Sequence, residues 1–304
     1  MKSFTIIFFF SLITANAYAY NHFPFLAFPL LEENQKQLSY QVGYDSTEFE
    51  YEQQDKVLTH NDAKYIRHEI EFSQNIWRDY TYSLMISGGQ AGKVEKFYDA
   101  SLNLNNEKIH FHGIQGYDLR LKKYLPFSND KSKYAFQIGS KGSLQTPKET
   151  NMAYGGFDLH IAFLMAHKHR EHYFLGELKS EIIGKKKRYL VDGGHKEITD
   201  AYSVFGAQLG YLFENPYIDV AISPYFYHTT DFNTRNNLYT RITDKGFIWG
   251  GEFKFLKKIS NQFSVYLVHI RESYVFNVVD PQQTKGIDYE IERNETNLGL
   301  IWKF

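Results

Sequence analysis

Leu298-Gly299-Leu300-Ile301-Trp302-Lys303-Phe304 closes the chain, and its pattern decides the fold. Leu298, Leu300, Trp302 and Phe304 place an apolar or aromatic side chain at every second position. Successive side chains of a β-strand point to opposite faces, whereas a helix repeats about every 3.6 residues, so this spacing predicts a strand with one apolar face. That face must meet an apolar environment.

The same alternation recurs along the chain from Leu38 onward, and helical spacing is scarce. The pattern predicts between ten and fourteen strands, with twelve as the best count. The predicted strands are Leu38–Thr47, Tyr65–Ser73, Tyr80–Gly88, Lys108–Lys122, Lys133–Gly142, Gly156–His167, Tyr173–Ile183, Ser203–Phe213, Tyr217–His228, Gly246–Phe255, Phe263–Arg271 and Glu295–Phe304.

The connections between these strands alternate in length. The odd ones are long and polar, and they run over Glu48–Lys64, Gly89–Glu107, Ser143–Gly155, Gly184–Tyr202, Thr229–Lys245 and Glu272–Asn294. The even ones are short, and they are Gln74–Asp79, Lys123–Ser132, Lys168–His172, Glu214–Pro216 and Leu256–Gln262. Long loops on one rim, tight turns on the other and both termini on the tight-turn side are typical of a transmembrane β-barrel.

The two faces of the predicted strands differ sharply. One face is apolar and aromatic, with Tyr40, Leu84, Leu119, Ile161 and Val220 among its members. The other face collects seven basic and nine acidic side chains, which are Arg67, Arg120, Lys122, Lys141, Lys179, Lys254 and Lys303, and Asp45, Glu69, Glu71, Asp118, Asp158, Glu177, Glu181, Asp219 and Glu252. Unpaired charges in a dry core cost several kcal/mol each, so the charged face belongs inside a wet barrel and the apolar face outside. The predicted fold class is an all-β, transmembrane, antiparallel up-and-down barrel.

The N-terminus has the features of a secretory leader. Lys2 is followed by an apolar run from Phe4 to Ala15, and Ala17-Tyr18-Ala19 has the small-x-small form of a cleavage site. About twelve apolar residues are too short to span a hydrocarbon core of about 30 Å as a helix. We therefore expect a signal peptide over residues 1–19, a periplasmic segment over 20–36 and a barrel over 37–304.

The terminal strand also carries a resemblance. Its alternation up to Phe304 resembles the assembly signal of Gram-negative outer-membrane β-barrels, whether porin-like or similar to autotransporter translocators. The resemblance covers the last strand and implies insertion by the barrel assembly machinery into the bacterial outer membrane, with both termini periplasmic. No motif selects one family. The alternative is a soluble secreted β-protein that happens to end in Phe.

Composition excludes several classes of protein. Basic and acidic residues nearly cancel, at 34 and 35, which predicts no nucleic-acid partner. The absence of cysteine excludes disulfides, thiolate metal sites and cysteine nucleophiles. We expect no cofactor and no bound metal.

Outer-membrane phospholipases, lipid A deacylases and omptin proteases raise the possibility of a hydrolase. They require a histidine in a defined setting, and no His-x-Ser pair on one strand face occurs here. The stretch 231–241 loosely resembles an omptin loop, yet Asn236 and Leu238 stand where the catalytic acid and histidine would fall. The sequence thus predicts no enzymatic activity and no catalytic residue.

Other histidines and lysines have a solvated alternative. His110 with His112, and His228, are placed at the long-loop rim, where alternating histidines can bind metal or relay a proton. His167, His169 and His172 crowd one short turn, but Lys168 and Arg170 there oppose a cation. The run over residues 185–188, Lys-Lys-Lys-Arg, is either a lipopolysaccharide contact or a solvated loop.

The interior charges give the main function hypothesis. Because both signs are mixed along single strands, they favour cross-strand ion pairs and little preference between cations and anions. A barrel of twelve strands lies between those filled by side chains and those with open water channels. We expect a narrow or gated pore for small polar solutes in outer-membrane lipid and lipopolysaccharide; the alternative is a non-channel barrel that displays its loops.

Overall fold

The computed structural model describes residues 35–53, 56–77, 79–98, 108–126, 128, 131–144, 156–189, 196–235, 240–279 and 287–304. Within these ranges the chain is all-β. No helix among them is long and apolar enough to cross a membrane. The predicted signal peptide and most of the predicted periplasmic segment lie outside the described residues.

Sixteen strands follow one another along the chain. They are β1 (Lys36–Gln53), β2 (Lys56–Trp77), β3 (Tyr80–Tyr98), β4 (Lys108–Tyr124), β5 (Ser132–Gly142), β6 (Phe157–His169), β7 (His172–Ile183), β8 (Lys186–Tyr189), β9 (Lys196–Thr199), β10 (Tyr202–Glu214), β11 (Ile218–Thr229), β12 (Phe232–Arg235), β13 (Thr240–Thr243), β14 (Phe247–Lys258), β15 (Phe263–Val279) and β16 (Ile287–Lys303).

Twelve of these strands form a closed antiparallel ring, and each pairs with its neighbours in chain order. The ring closes where β1 pairs with β16, with Gln41 opposite Gly299 and Asp45 opposite Glu295. We call this pairing the seam. The prediction of a twelve-stranded antiparallel barrel is confirmed, and each predicted strand falls on one strand of the ring.

The four remaining strands are short and were not predicted. β8 pairs with β9, β9 with β12, β12 with β13, and β13 with the end of β15. They extend the sheet beyond the ring at the end that carries the long connections. We call this the long-loop end, and the opposite end, with the turns after β2, β4, β6, β10 and β14, the short-turn end.

Three predicted loops are partly strand. β1 and β2 continue as a paired ribbon through most of residues 48–64, β3 and β4 pair as far as Glu95 opposite Lys108, and β15 and β16 pair up to Val278 opposite Ile287. The sequence prediction ended these strands too early because the pattern of an apolar outer face and a charged inner face does not continue there. Backbone pairing needs no such alternation.

The barrel wall separates two environments. Outward side chains such as Tyr40, Leu84, Ile161, Leu178 and Leu298 are exposed, and so are Trp249 and Trp302. Inward side chains on the same strands are buried, and most of them are polar. An outer surface of this kind is stable when lipid covers it, as in membrane barrels.

Candidate functional site: the charged interior of the barrel

Alternation along the strands turns the predicted lumen charges toward the barrel axis. The structure buries most of them inside the ring: Arg67, Glu69, Asp118, Arg120, Lys122, Lys141, Glu177, Lys179, Glu181, Glu252 and Lys254. Glu71 and Asp219 are half-buried. Asp45, Asp158 and His160 lie buried with them.

One group of these charges forms a cluster across the seam, which we call the seam cluster: Asp45, Arg67, Glu69, Glu272, Arg293 and Glu295. Arg293 is its centre, because its Nε donates to Asp45 Oδ2 at 2.8 Å and its Nη1 donates to Glu272 Oε2 at 3.0 Å. Its Nη2 contacts Glu295. Three carboxylates from three strands therefore converge on one guanidinium, which offers five donors in a fixed plane.

The second arginine of the seam cluster joins β2 to β16. Arg67 Nε lies 3.2 Å from Glu69 Oε1, and its Nη2 contacts Glu295. Gln41 Nε2 donates to Glu69 and its Oε1 accepts from Tyr266 Oη at 2.9 Å. Both arginines thus have carboxylate partners, as buried charges require.

Tyrosines complete the coordination of the carboxylates. Tyr65 donates to Asp45 Oδ2 at 2.9 Å. Tyr225 and Tyr274 donate to the two oxygens of Glu272 at 2.6 and 2.7 Å. The hydroxyls and guanidinium groups form a continuous network that fills this side of the lumen.

Inward-facing glycines let some of these contacts pass over an intervening strand. Gly43 of β1 lies between Arg67 and Asn297, and Gly299 of β16 lies between Tyr266 and Gln41. A Cβ on Gly299 would fall 2.2 Å from the Tyr266 ring, which is far inside van der Waals contact. A bare backbone at these positions is what allows side chains from non-adjacent strands to meet.

A second set of charges lies on the opposite wall, on β4, β5 and β7. We call Asp118, Arg120, Lys141, Lys179 and Glu181 the wall cluster. Arg120 Nη2 lies 2.6 Å from Asp118 Oδ2, and Glu181 accepts from Lys141 at 2.9 Å and lies 2.7 Å from Lys179. Only the Lys141–Glu181 pair joins two strands as expected, because the other two pairs connect residues two apart on one strand.

Solvent exposure distinguishes the two clusters. The Arg293 and Asp45 side chains are fully buried, and Glu295 is 1% exposed. In the wall cluster, Arg120, Lys141 and Lys179 keep 7–9% of their side-chain surface exposed, while Asp118 and Glu181 keep only 1–3%. The basic side chains of the wall cluster therefore keep slightly more exposed surface than their acidic partners and than the seam cluster.

Sequence reasoning missed Glu272, Tyr274 and Arg293, because residues 272–294 were read as a loop. The missed signal was alternation on β15, where Glu272, Tyr274 and Phe276 share the inward face. Lys186 is a correction of a different kind: we expected an outward charge run at 185–188, but Lys186 is buried and lies 3.5 Å from Asp158. Its neighbour Lys185 stays exposed near Asp200.

Three of the histidines singled out in the sequence have side-chain or backbone partners, and His169 is exposed on the same short turn. His167 lies 2.9 Å from Ser132 Oγ, His172 lies 2.6 Å from Tyr211 Oη, and His228 Nδ1 lies 3.0 Å from the Gly246 carbonyl. The side chains of His110 and His112, and residues Asn236 and Leu238, lie outside the described residues. Within the described ranges, no group of three or more His, Asp or Glu is arranged to hold a metal ion.

A cavity of about 1000 Å³ occupies the short-turn end of the lumen, and we call it the vestibule. Its apolar wall consists of Ala166, Leu175, Leu212, Ala221, Leu256 and Ile301. Its charged lining consists of Lys133, Lys254, Lys258, Lys303, Glu214 and Asp219. Sequence reasoning counted the charges and missed the apolar wall, since it placed the apolar face only outside.

Comparison with known proteins identifies the fold of the chain and no protein family. No protein-family model matches the chain. No curated protein sequence matches it either. Among solved structures, an outer membrane channel from Pseudomonas putida F1 is similar over 90% of this chain and 97% of its own, with a TM-score of 0.60 and 9% identity.

Two further structures align less well. The NanC porin aligns over 86% of this chain and 100% of its own, with a TM-score of 0.43 and 8% identity. The outer membrane protease OmpT from Escherichia coli aligns over 89% and 97%, with a TM-score of 0.38 and 8% identity. A closed ring of twelve strands, an apolar outer face and the Pseudomonas channel's similarity agree with one another. The chain has the fold of the Gram-negative outer-membrane β-barrels.

Proposed function

We propose that the chain is an outer-membrane channel for small polar solutes, with both termini in the periplasm and a lumen narrowed by its own charged side chains. One observation carries this proposal: many charged groups line the inside of a ring whose outer face is apolar, and the basic side chains of the wall cluster keep 7–9% of their surface exposed. A barrel that served only as a membrane anchor would gain nothing from charged side chains in its interior, because each buried charge costs solvation energy.

The accessible part of the lumen supports a path along the wall cluster. Lys122 and Gln137 are opposite each other on β4 and β5, and both face inward. Gln137 is half-buried although it is surrounded by the ring. The seam cluster on the other side is closed, so a solute would pass along one side of the lumen and only small solutes would fit.

Single-channel recording in planar bilayers tests the proposal with two matched variants. Gln137→Trp places a bulky ring in the accessible part of the lumen, whereas Ile138→Trp places the same ring on the outer face of the same strand. We expect discrete conductance steps from the wild type, a smaller conductance for Gln137→Trp and unchanged conductance for Ile138→Trp. Absence of steps from refolded wild type, or equal effects of the two substitutions, would contradict a path through this lumen.

The alternative is a barrel that displays its loops to lipopolysaccharide or another surface. It is favoured by the ordered sheet of β8, β9, β12 and β13 beyond the ring, where Arg235 and Lys185 both approach Asp200. This alternative predicts no conductance, together with binding to lipopolysaccharide that is lost when the exposed Lys185 and Lys187 are neutralised. In neither reading does the barrel catalyse a reaction, and we expect no turnover of phospholipid or peptide substrates by the purified protein.

A further inference from the structure

We propose that the vestibule binds a small organic anion, a short-chain carboxylate whose charged end contacts Lys254 and whose apolar body lies against the wall of Leu175, Leu212, Ala221 and Leu256. As a statement about the transported solute, this inference rests on the proposed channel function. As a statement about binding, it stands on the cavity alone.

The charged lining of the vestibule favours an anion. Four lysine side chains line the cavity and only two acidic side chains do. Both acids are already held by one lysine, since Lys258 Nζ lies 2.8 Å from Asp219 Oδ1 and 3.4 Å from Glu214 Oε1. Lys133, Lys254 and Lys303 therefore set the sign of the potential in the rest of the cavity.

Lys254 lines the inner end of the vestibule, and a small turn of its flexible side chain would bring its ammonium group, which has almost no accessible surface in the structure, to a ligand carboxylate. Its ion-pair partner Glu252, at 3.3 Å, is 1% exposed, while the Lys254 side chain is 7% exposed and lines the cavity. An ammonium group has three donors, so it can keep Glu252 and also bind a ligand oxygen.

The apolar wall requires an occupant that is more than an inorganic ion. Ala166, Leu175 and Ala221 form one buried cluster, with Leu212 packed against it. Ile301 belongs to a second buried cluster that includes Leu256. These two clusters face the lumen at the short-turn end of the barrel. An apolar wall with a few converging polar groups is the usual composition of a small-molecule site.

The position of the wall limits the length of the ligand. Ala221 is directly opposite Lys254 in the β11–β14 register, and Leu256 comes two residues later, toward the short turn. Two residues of a strand span about 7 Å, after which the lining becomes charged again at Asp219 and Lys258. A body of a few carbon atoms fits between Lys254 and this rim, and a long fatty-acid chain would extend beyond it.

Isothermal titration calorimetry on the refolded full chain in detergent tests the inference with three probes. Hexanoate carries both features, hexylammonium has the same chain with the opposite charge, and acetate has the charge without the chain. We expect hexanoate to bind about tenfold or more tightly than either of the other two, the amount that one charge-assisted contact or a few buried methylenes provide. Equal binding of hexylammonium, or no hexanoate binding, would overturn the proposal.

Matched variants locate the site. Lys254→Gln should weaken hexanoate binding about tenfold, whereas Lys122→Gln, which removes an equally buried lysine outside the vestibule, should leave binding within about twofold. Because Lys254→Gln leaves Glu252 without its partner, the double variant Lys254→Gln with Glu252→Gln keeps the charge balance, and it too should lose binding. Ala221→Phe should abolish binding by filling the wall. Unchanged binding in the double variant and in Ala221→Phe would refute the site.

The two proposals fail separately. Hexanoate binding without conductance in bilayers would leave the vestibule site standing and remove the channel. Conductance without hexanoate binding would leave the channel standing and remove the site.

Discussion

Arg293 is the common ion-pair partner of three buried carboxylates. Its guanidinium holds Asp45, Glu272 and Glu295, and all four side chains are buried. Removing a partner from a buried ion network leaves uncompensated charge, which costs more than the pair itself contributes. Breaking the network therefore lowers the free energy of unfolding by more than the intact network contributes to it.

This reasoning predicts the cost of truncating Arg293. Arg293→Ala should lower the free energy of unfolding by about 3–5 kcal/mol, because three carboxylates lose their common partner. Arg271→Ala is the matched control: Arg271 also faces one carboxylate, Glu292 at 3.4 Å, but its side chain is 66% exposed, and the change should cost about 1 kcal/mol or less. Urea titrations of the two variants in the same detergent compare them directly. Similar midpoints would mean that the seam cluster is not energetically coupled.

The contacts between strands depend on the positions of glycine residues as well as on the positions of charged residues. Gly299 of β16 leaves room for Tyr266 of β15 to reach Gln41 of β1. Gly251 of β14 has no atom closer than 3.9 Å to a Cβ built on it. Two glycines in neighbouring parts of the same sheet thus have different roles, and only one of them is sterically required.

Alanine substitution separates these roles. Gly299→Ala should destabilise the barrel by about 1–3 kcal/mol, because the methyl group forces the Tyr266 ring away and breaks its hydrogen bond. Gly251→Ala should be neutral or slightly stabilising, since glycine in a strand interior is intrinsically unfavourable. Unfolding midpoints measure both. A neutral Gly299→Ala would show that Tyr266 can move without loss.

The last strand provides a separate prediction about assembly. Phe304 exchanges two backbone hydrogen bonds of 2.9 Å with Lys36, and its ring lies 4.7 Å from that of Trp302. Deleting Phe304 removes both the ring and the backbone bonds, whereas Phe304→Ala removes the ring alone. If the aromatic ring is the assembly signal, both variants should be secreted and both should be depleted from the outer-membrane fraction. Normal membrane yield of Phe304→Ala would contradict that role.

The sequence predicted which side chains face the lumen where the other face of the strand is apolar, and it predicted this poorly elsewhere. Arg120 and Lys122 could be placed inside because Leu119 and Leu121 alternate with them on β4. Arg293 could not, because Glu292 and Asn294 beside it give no apolar outer face, and Ile291 is apolar on the same inward side as Arg293. Lys186 was missed for a similar reason, since it lies on a strand of only four residues. The vestibule was missed because apolar residues on the inward face look like interruptions of the alternation.

At the scale of the whole molecule, the outer face of the barrel is apolar and the inner face is mostly polar. Leu84 on β3 is exposed on the outside, and Gln137 on β5 faces the accessible lumen. Leu84→Arg should cost about 2–4 kcal/mol in lipid, the cost of a charge at the bilayer midplane. Gln137→Arg should cost much less, because its side chain stays hydrated. Refolding into lipid vesicles under urea measures the difference, and equal costs would mean that the faces are assigned wrongly.

The seam cluster also bears on the order in which the barrel is made. Arg67 on β2 and Glu295 on β16, and likewise Asp45 on β1 and Arg293 on β16, come from opposite ends of the chain. These pairs form only when the first and last strands join, so before closure Asp45 lacks Arg293 and Arg67 lacks Glu295, while Arg67 keeps Glu69 and Arg293 keeps Glu272. Transfer of these incompletely paired charges from water into the membrane costs solvation energy. Closure of the ring therefore completes the ion pairing of the seam cluster, and we expect the closed barrel to be favoured over any open form of the same strands.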